Sequence, residues 1–217
     1  NREAYPYPSG QAEGCGFPVI GLVGLIDLGH GGLKDFAHST IQTGELRGHD
    51  ELEGYLREGD VHVADRLYSS YEVLARQREK RVGFIGRNHQ ARKMDFRKGR
   101  KIGPNERIQT WSRPRQQPKQ SRLSAERWAA LPEKMEVRVI RTKGPDRQGR
   151  QRTRYLITTL LDHHKYPWDE VASLYIHRWE IELRFRDIKT TMGMELLRTK
   201  SPDMVHKEVL MHMIAYN

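Results

Sequence analysis

The chain has 217 residues and a formal net charge of +10 at pH 7. This length can bury a real hydrophobic core and suits one domain, or one domain with an insertion. The single cysteine, Cys15, excludes an internal disulfide and a cysteine-rich zinc site. No apolar run approaches the roughly 20 residues needed to span a bilayer, so we expect no membrane partner.

Taken in chain order, the first part of the chain predicts strands that alternate with helices. The predicted elements are a buried central strand over 17–28, a short strand over 32–37, a helix over 45–56, a strand over 60–65, a helix over 69–80 and a strand over 81–87. Runs rich in β-branched residues between turn formers mark the strands, and apolar residues at helical spacing mark the helices. This alternation is typical of an α/β layered sheet.

The middle of the chain is strongly basic. Between Arg76 and Arg127 there are 17 Lys and Arg against four acids. A concentrated basic segment suits binding to a phosphate backbone, whereas a solvated loop is the structural alternative. Within residues 89–154 only 135–140 clearly predicts a strand, with Met135, Val137 and Val139 on one face and Glu136 and Arg138 on the other. We therefore interpret this segment as a partly folded basic insertion.

After the insertion, the sequence predicts a buried strand over 155–161 and a long helix from about 168 to 192. Four polar residues of this helix, Tyr175, Arg178, Glu182 and Lys189, are offset by 3, 7 and 14 positions. On a uniform α-helix they fall within a sector of roughly 60°. An adjacent apolar stripe is expected to pack against the sheet: Leu174, Ile181, Phe185, Ile188 and Met192. Geometry alone leaves open that the polar face is an ordinary solvated one.

The Tyr-x-x-Arg-x-x-x-Glu-x-x-x-x-x-x-Lys pattern resembles the Tyr-Arg-Glu-Lys signature of a large group of bacterial insertion-sequence transposases of the DDE type. The segments RWEIELRFRDIK, LRTKSPDMVHKEVLMHMIAYN and VADRLYSSYEVL are similar to segments of the same family. The resemblance implies a ribonuclease-H-like α/β fold, with a mixed sheet flanked by helices. It divides the chain into residues 1–88 and 155–217 as two parts of the core, and 89–154 as the basic, partly β insertion before the catalytic helix.

The resemblance also implies the site. Three carboxylates of the family hold two Mg²⁺ or Mn²⁺ ions, and the second and third correspond to Asp65 and Glu182. These two carboxylates are expected within about 8 Å of each other, as sharing a two-metal cluster requires. Tyr175, Arg178 and Lys189 would bind DNA phosphates. The first Asp is expected upstream of residue 1, so we expect the chain alone to be inactive; Asp27 lies on a neighbouring strand and is a poor substitute.

The function implied is metal-dependent cleavage and strand transfer at transposon ends. The expected partner is duplex DNA, at the transposon ends and the target, bound by a homodimer in the bacterial cytoplasm at the nucleoid. Two alternatives stay open. A non-catalytic DNA-binding remnant of a decayed element would keep the basic segment, and another ribonuclease-H-like nuclease, such as a junction resolvase, would use similar carboxylates without the Tyr, Arg and Lys partners.

Overall fold

The computed structural model describes residues 4–5, 17–40, 45–89, 91–145 and 148–217. The chain forms two compact units. The terminal unit comprises residues 1–55 and 179–217, and the sheet unit comprises residues 56–178.

The regular elements largely follow the alternation expected from the sequence. They are β1 (Ile20–Ile26), β2 (Leu33–Thr40), α1 (Glu45–Leu52), β3 (Val61–Ala64), α2 (Tyr71–Glu79), β4 (Gly83–Arg87), β5 (Arg100–Gly103), β6 (Glu106–Ser112), α3 (Ala125–Ala130), β7 (Lys134–Pro145), β8 (Gln151–Thr158), α4 (Trp168–Arg186) and α5 (Pro202–Tyr216). A π-helical turn, Asp187–Thr191, continues α4. None of the described helices combines the length and apolar character needed to cross a membrane.

The sheet unit is built on a six-stranded sheet in the order β3-β4-β8-β7-β6-β5. Strands β3 and β4 are parallel, and every other neighbouring pair is antiparallel. Helix α2 begins after Ser70, whose hydroxyl accepts a hydrogen bond from the Val73 N–H at 3.2 Å. Its buried face joins the core of this unit together with Trp128 of α3. The predicted mixed sheet flanked by helices is therefore confirmed.

Much of the basic segment is folded: strands β5, β6 and β7, the start of β8 and helix α3 lie within it, and loops over 91–99 and 113–124 connect them. The prediction of one clear strand over 135–140 was incomplete, because β5 and β6 also form there and β7 extends to Pro145. Met135, Val137 and Val139 are buried on one face of β7, as the alternation predicted. Trp111 and Trp128 lie in the same core. The described part of 89–154 is therefore not a single solvated loop, although 113–124 is a mostly exposed loop.

The terminal unit is organised around a β-hairpin. Strands β1 and β2 pair antiparallel as a separate two-stranded sheet, and α1 packs on them. The prediction of a buried central strand over 17–28 was wrong, because β1 has only β2 as a neighbour within the described residues. Its apolar residues are mostly half-buried, and they face the end of α4 and α5, as shown by a core cluster of Ile26, Leu33, Ile188, Val209 and Met213, among others.

A buried ion pair links three segments of the sheet unit. Arg138 of β7 is fully buried, and its Nε donates to Oε2 of Glu106 on β6 at 2.7 Å. Its Nη2 donates to the same carboxylate oxygen. Its Nη1 donates to the carbonyl oxygens of Leu160 at 3.2 Å and Tyr166 at 2.7 Å. Arg138 thus connects β6 and β7 to the loop that leads into α4.

Removing one partner of this pair should destabilise the protein strongly. We expect Glu106→Leu to cost about 3–5 kcal/mol, because it leaves the buried Arg138 charge uncompensated. The double variant Glu106→Leu/Arg138→Met should recover much of that loss, since neither charge remains buried. Urea denaturation would measure both free energies of unfolding.

The matched control is the exposed pair of Arg81 and Glu58, whose side chains are 76% and 66% exposed. Glu58→Leu should change stability by no more than about 1 kcal/mol. A Glu106→Leu protein as stable as this control would contradict the structural role of the buried pair.

Candidate active site

Asp65 stands at the carboxyl end of β3, as predicted. The strand ends at Ala64, and Asp65 is exposed at the start of a short 3-10 turn, Arg66–Tyr68. Its side chain makes no capping hydrogen bond to that turn. The side chain of Asp65 is therefore exposed at the edge of the sheet where open α/β sheets place their sites.

Arg87 is a residue of this edge that the sequence interpretation missed. In the parallel pair of β3 and β4, Ala64 is opposite Gly86, so the next residues along the two chains, Asp65 and Arg87, are neighbours. The sequence did contain a signal. The strand that leads to Asp65 is followed along the chain by the predicted strand over 81–87, and that strand ends at Arg87. Finding it required knowing that these two strands pair in parallel and in this register.

Tyr175 and Arg178 of α4 lie in the same region as Asp65 and Arg87. Burial raises the pKa of the Tyr175 hydroxyl, the positive charge of Arg178 lowers it, and the negative charge of Asp65 raises it. A hydrogen bond from Arg178 and the charge of Arg87 lower this pKa further. The guanidinium carbon of Arg178 is 5.7 Å from the centre of the Tyr175 ring. Three of the five predicted site residues are thus brought together within the sheet unit.

Glu182 and Lys189 lie together in the terminal unit. Both side chains are exposed and line one pocket of about 380 Å³, which also has Leu22, Phe185, Arg186, Thr190 and Glu195 in its wall. The predicted apolar stripe holds this end of the helix in place. Ile188 is fully buried, and Ile181 and Met192 pack against the same core.

Lys189 lies in the π-helical turn, so the prediction of a uniform α-helix to about Met192 was wrong. The α-helix ends at Arg186, and residues 187–191 form wider turns with i→i+5 hydrogen bonding. The 100° step per residue that placed Lys189 on a common face therefore does not apply beyond Arg186. Turns of this kind are frequent at functional sites.

Asp27 is used by the turn between β1 and β2. Its Oδ1 accepts the N–H of Gly29 at 2.8 Å and the N–H of His30 at 3.4 Å. The Gly29 hydrogen bond is the main cause that lowers the pKa of Asp27. This turn-forming role agrees with the interpretation that Asp27 does not replace a catalytic carboxylate.

The chemistry of Asp65 and Glu182 suits a hard divalent cation. Both are exposed carboxylates, and Mg²⁺ prefers oxygen ligands and keeps several waters. Within the described residues, no group of three or more His, Cys, Asp and Glu could hold a metal ion. Because Asp65 belongs to the sheet unit and Glu182 to the terminal unit, their separation stays a prediction.

A six-stranded mixed sheet flanked by helices is consistent with a ribonuclease-H-like transposase domain. Residues 3–217 match the family described as "Transposase DDE domain", and the chain belongs to that family.

Two relatives from Escherichia coli are transposases of insertion sequences. The chain is 25% identical over 225 residues to the "Transposase InsG for insertion sequence element IS4" of strain K12, a match that covers 100% of the chain and 47% of that protein. A stretch of 60 residues is 32% identical to the "Transposase for insertion sequence element IS421", covering 28% of the chain and 16% of that protein. The chain therefore spans about half the length of the first relative.

Iron-directed cleavage of the polypeptide would test whether Asp65 and Glu182 share metal. With Fe²⁺ in place of Mg²⁺, ascorbate and peroxide generate radicals that cut the backbone beside the bound ion. The prediction that both carboxylates hold the same cluster leads us to expect cuts next to both residues. Glu182→Ala should weaken both sets of cuts, and the neighbouring Glu180→Ala should weaken neither. If the cuts beside Asp65 persisted unchanged in Glu182→Ala, the two carboxylates would not share a metal site.

The pKa of Tyr175 would report the charges that surround it. Asp65→Asn should lower this pKa, because it removes a negative charge that favours the neutral phenol. Arg87→Gln should raise it, because it removes a positive charge that favours the phenolate. NMR titration of ring-labelled tyrosine, assigned with Tyr175→Phe, would measure both shifts. Glu126→Gln, at an exposed glutamate, is the charge-matched control. If all three variants shifted the pKa of Tyr175 equally, Asp65 and Arg87 would not lie next to Tyr175.

Proposed function

We propose that this chain is the catalytic part of a DDE transposase of the Tyr-Arg-Glu-Lys group, which cleaves and rejoins phosphodiester bonds at transposon ends. The observation that carries the proposal is the position of Asp65, exposed at the carboxyl edge of the sheet beside Arg87, with Tyr175 close enough to be affected by the charges of both Asp65 and Arg178. Membership of the transposase family supports the same conclusion.

Asp65 and Glu182 would hold the metal, with two Mg²⁺ or Mn²⁺ ions in the complete protein. When bound, such ions activate the attacking water or 3′-hydroxyl and stabilise the leaving oxygen. The two carboxylates would supply negative charge and oxygen ligands from separate elements, the end of β3 and the last turns of α4. Cleavage and strand transfer would then use the same residues with different nucleophiles.

The other predicted residues would hold the phosphates. The pKa of Tyr175 is raised above its ordinary value of 10.0, so the hydroxyl is protonated at neutral pH and can donate a hydrogen bond to a phosphate oxygen. Arg178 suits a bidentate contact, and Lys189 suits a point-charge contact. Arg87, which neighbours Asp65, would neutralise a further phosphate beside the metal-binding carboxylate.

The partner would be duplex DNA, both the transposon ends and the target, bound by a homodimer. The relatives are transposases of insertion sequence elements, and the basic segment of this chain supports the same substrate class. The bacterial cytoplasm, at the nucleoid, would be the place of action. In this proposal residues 1–88 and 155–217 form the ribonuclease-H-like core, and 89–154 add basic strands to its sheet.

A cleavage assay tests the proposal. The protein would be extended upstream to include the expected first Asp, and nicking would be measured on labelled transposon-end duplex with Mg²⁺ or Mn²⁺. We expect Glu182→Ala to abolish cleavage, because the carboxylate would hold the metal, and to leave binding largely intact, because a carboxylate without metal repels phosphate. Arg178→Ala and Lys189→Ala should weaken both. Tyr175→Phe should cost about 1 kcal/mol, the value of one hydrogen bond.

The control for the carboxylate is Glu180→Ala, which lies on the same helix and should cleave like the parent protein. Full cleavage by Glu182→Ala would end the catalytic assignment of this helix. DNA binding without cleavage in every version would favour the non-catalytic remnant.

A further inference from the structure

Two arginines converge on one aromatic ring in the sheet unit. The guanidinium carbons of Arg107 on β6 and Arg141 on β7 are 5.3 Å and 4.8 Å from the centre of the Phe96 ring. Phe96 stacks on Tyr155 of β8, with ring centres 5.7 Å apart and an interplanar angle of 27°. The arginine–aromatic cluster, defined as Phe96, Arg107, Arg141 and Tyr155, thus has two cations on one ring system.

The register of the sheet places this cluster near the candidate active edge. Arg141 is opposite Tyr155, and the next residue of β8, Leu156, is opposite Arg87. The N–H of Asn88 donates to the Tyr155 carbonyl oxygen at 2.9 Å. The cluster therefore lies at the same end of the strands as Arg87. Because successive residues of a strand face opposite sides, Tyr155 and the cluster lie on the other face of the sheet from Leu156 and Arg87.

Neither arginine of the cluster is neutralised by a carboxylate within the part of the chain that the structure describes. Glu106, next to Arg107 in sequence, pairs with the buried Arg138, and Asp95, next to Phe96, pairs with Arg97 at 3.1 Å. The side chain of Arg141 makes only long hydrogen bonds, from Nη2 to Pro104 and Asn105 at 3.4 Å. The Nε of Arg107 is buried and has no hydrogen-bond partner among the described residues.

Two like charges held together without an anion favour an anionic ligand. A guanidinium over an aromatic ring can direct in-plane N–H groups past the ring edge, which is the geometry that binds phosphate oxygens in a bidentate manner. A stacked guanidinium is also pre-organised, so binding costs little side-chain entropy. Phosphate contacts of this kind fix position on a duplex and carry no sequence information.

We propose that Arg107 and Arg141 form a phosphodiester-binding site for the backbone of duplex DNA, beside the active edge and separate from the Tyr175, Arg178 and Lys189 contacts. The inference rests on the proposed function only in taking DNA as the substrate. The site would hold the duplex a short distance from the cleaved bond, on the opposite face of the sheet from Asp65.

The test is equilibrium binding of a generic duplex to the 217-residue chain in EDTA, measured by fluorescence anisotropy between about 50 and 200 mM salt. We expect Arg107→Gln/Arg141→Gln to bind roughly tenfold more weakly at 100 mM salt and to lower the slope of log K against log salt by about 1 to 2. Arg107→Lys/Arg141→Lys keeps both charges but loses the bidentate contacts, so it should keep the salt dependence of the parent with an affinity between those of the parent and the glutamine variant. This comparison separates loss of charge from loss of fold.

The matched control is Arg115→Gln/Lys134→Gln, which removes two exposed charges at the opposite end of the sheet. Equal effects of the two glutamine pairs, or no binding by the parent chain, would overturn the site. Displacement of the duplex by inorganic phosphate at equal phosphate concentration would show a general anion site and would also overturn it. Because the assay contains no divalent metal, a failed cleavage assay would leave this result standing, and the reverse also holds.

Discussion

The buried charge of Arg138 is the constraint on which the sheet unit depends. A guanidinium in a core is tolerated only when its N–H groups are hydrogen-bonded and its charge is matched. Here Glu106 matches the charge, and the carbonyl groups of Leu160 and Tyr166 accept the remaining bonds. One side chain therefore fixes the pairing of β6 with β7 and the path of the loop before α4. Tyr175 and Arg178 follow on that helix, so their placement rests on a contact made in the basic segment.

Charges of alternating sign surround Tyr175, and this arrangement follows from topology. The parallel pairing of β3 with β4 brings Asp65 and Arg87 to one edge, and α4 adds Arg178. The Asp65 side chain is exposed at this edge. The same edge can therefore offer negative charge to a cation and positive charge to a polyanion, which is what a site for metal-assisted chemistry on phosphodiesters requires.

The sequence predicted those parts of the fold whose signals are local. Strand β3, helix α2 and strand β4 have caps, turns and periodic apolar residues within their own segments. Strand β5 is mostly charged and is held by pairing with β6, so no local pattern marks it. A short apolar run cannot distinguish a central strand from a hairpin strand covered by helices, which explains the error at β1. Asp65 could be predicted from its motif, whereas Arg87 required the strand register.

The π-helical turn means that the distance from Glu182 to Lys189 along the sequence does not determine where the lysine points. A wider turn accommodates an additional residue without breaking the helix, so the direction of Lys189 depends on which carbonyl each N–H selects between residues 187 and 191. Two homologous proteins with an identical seven-residue interval could then present this ammonium group differently. A comparison of sequence intervals alone does not detect this difference. The backbone hydrogen bonding of this turn is therefore a property that related sequences can share or lack independently of the motif.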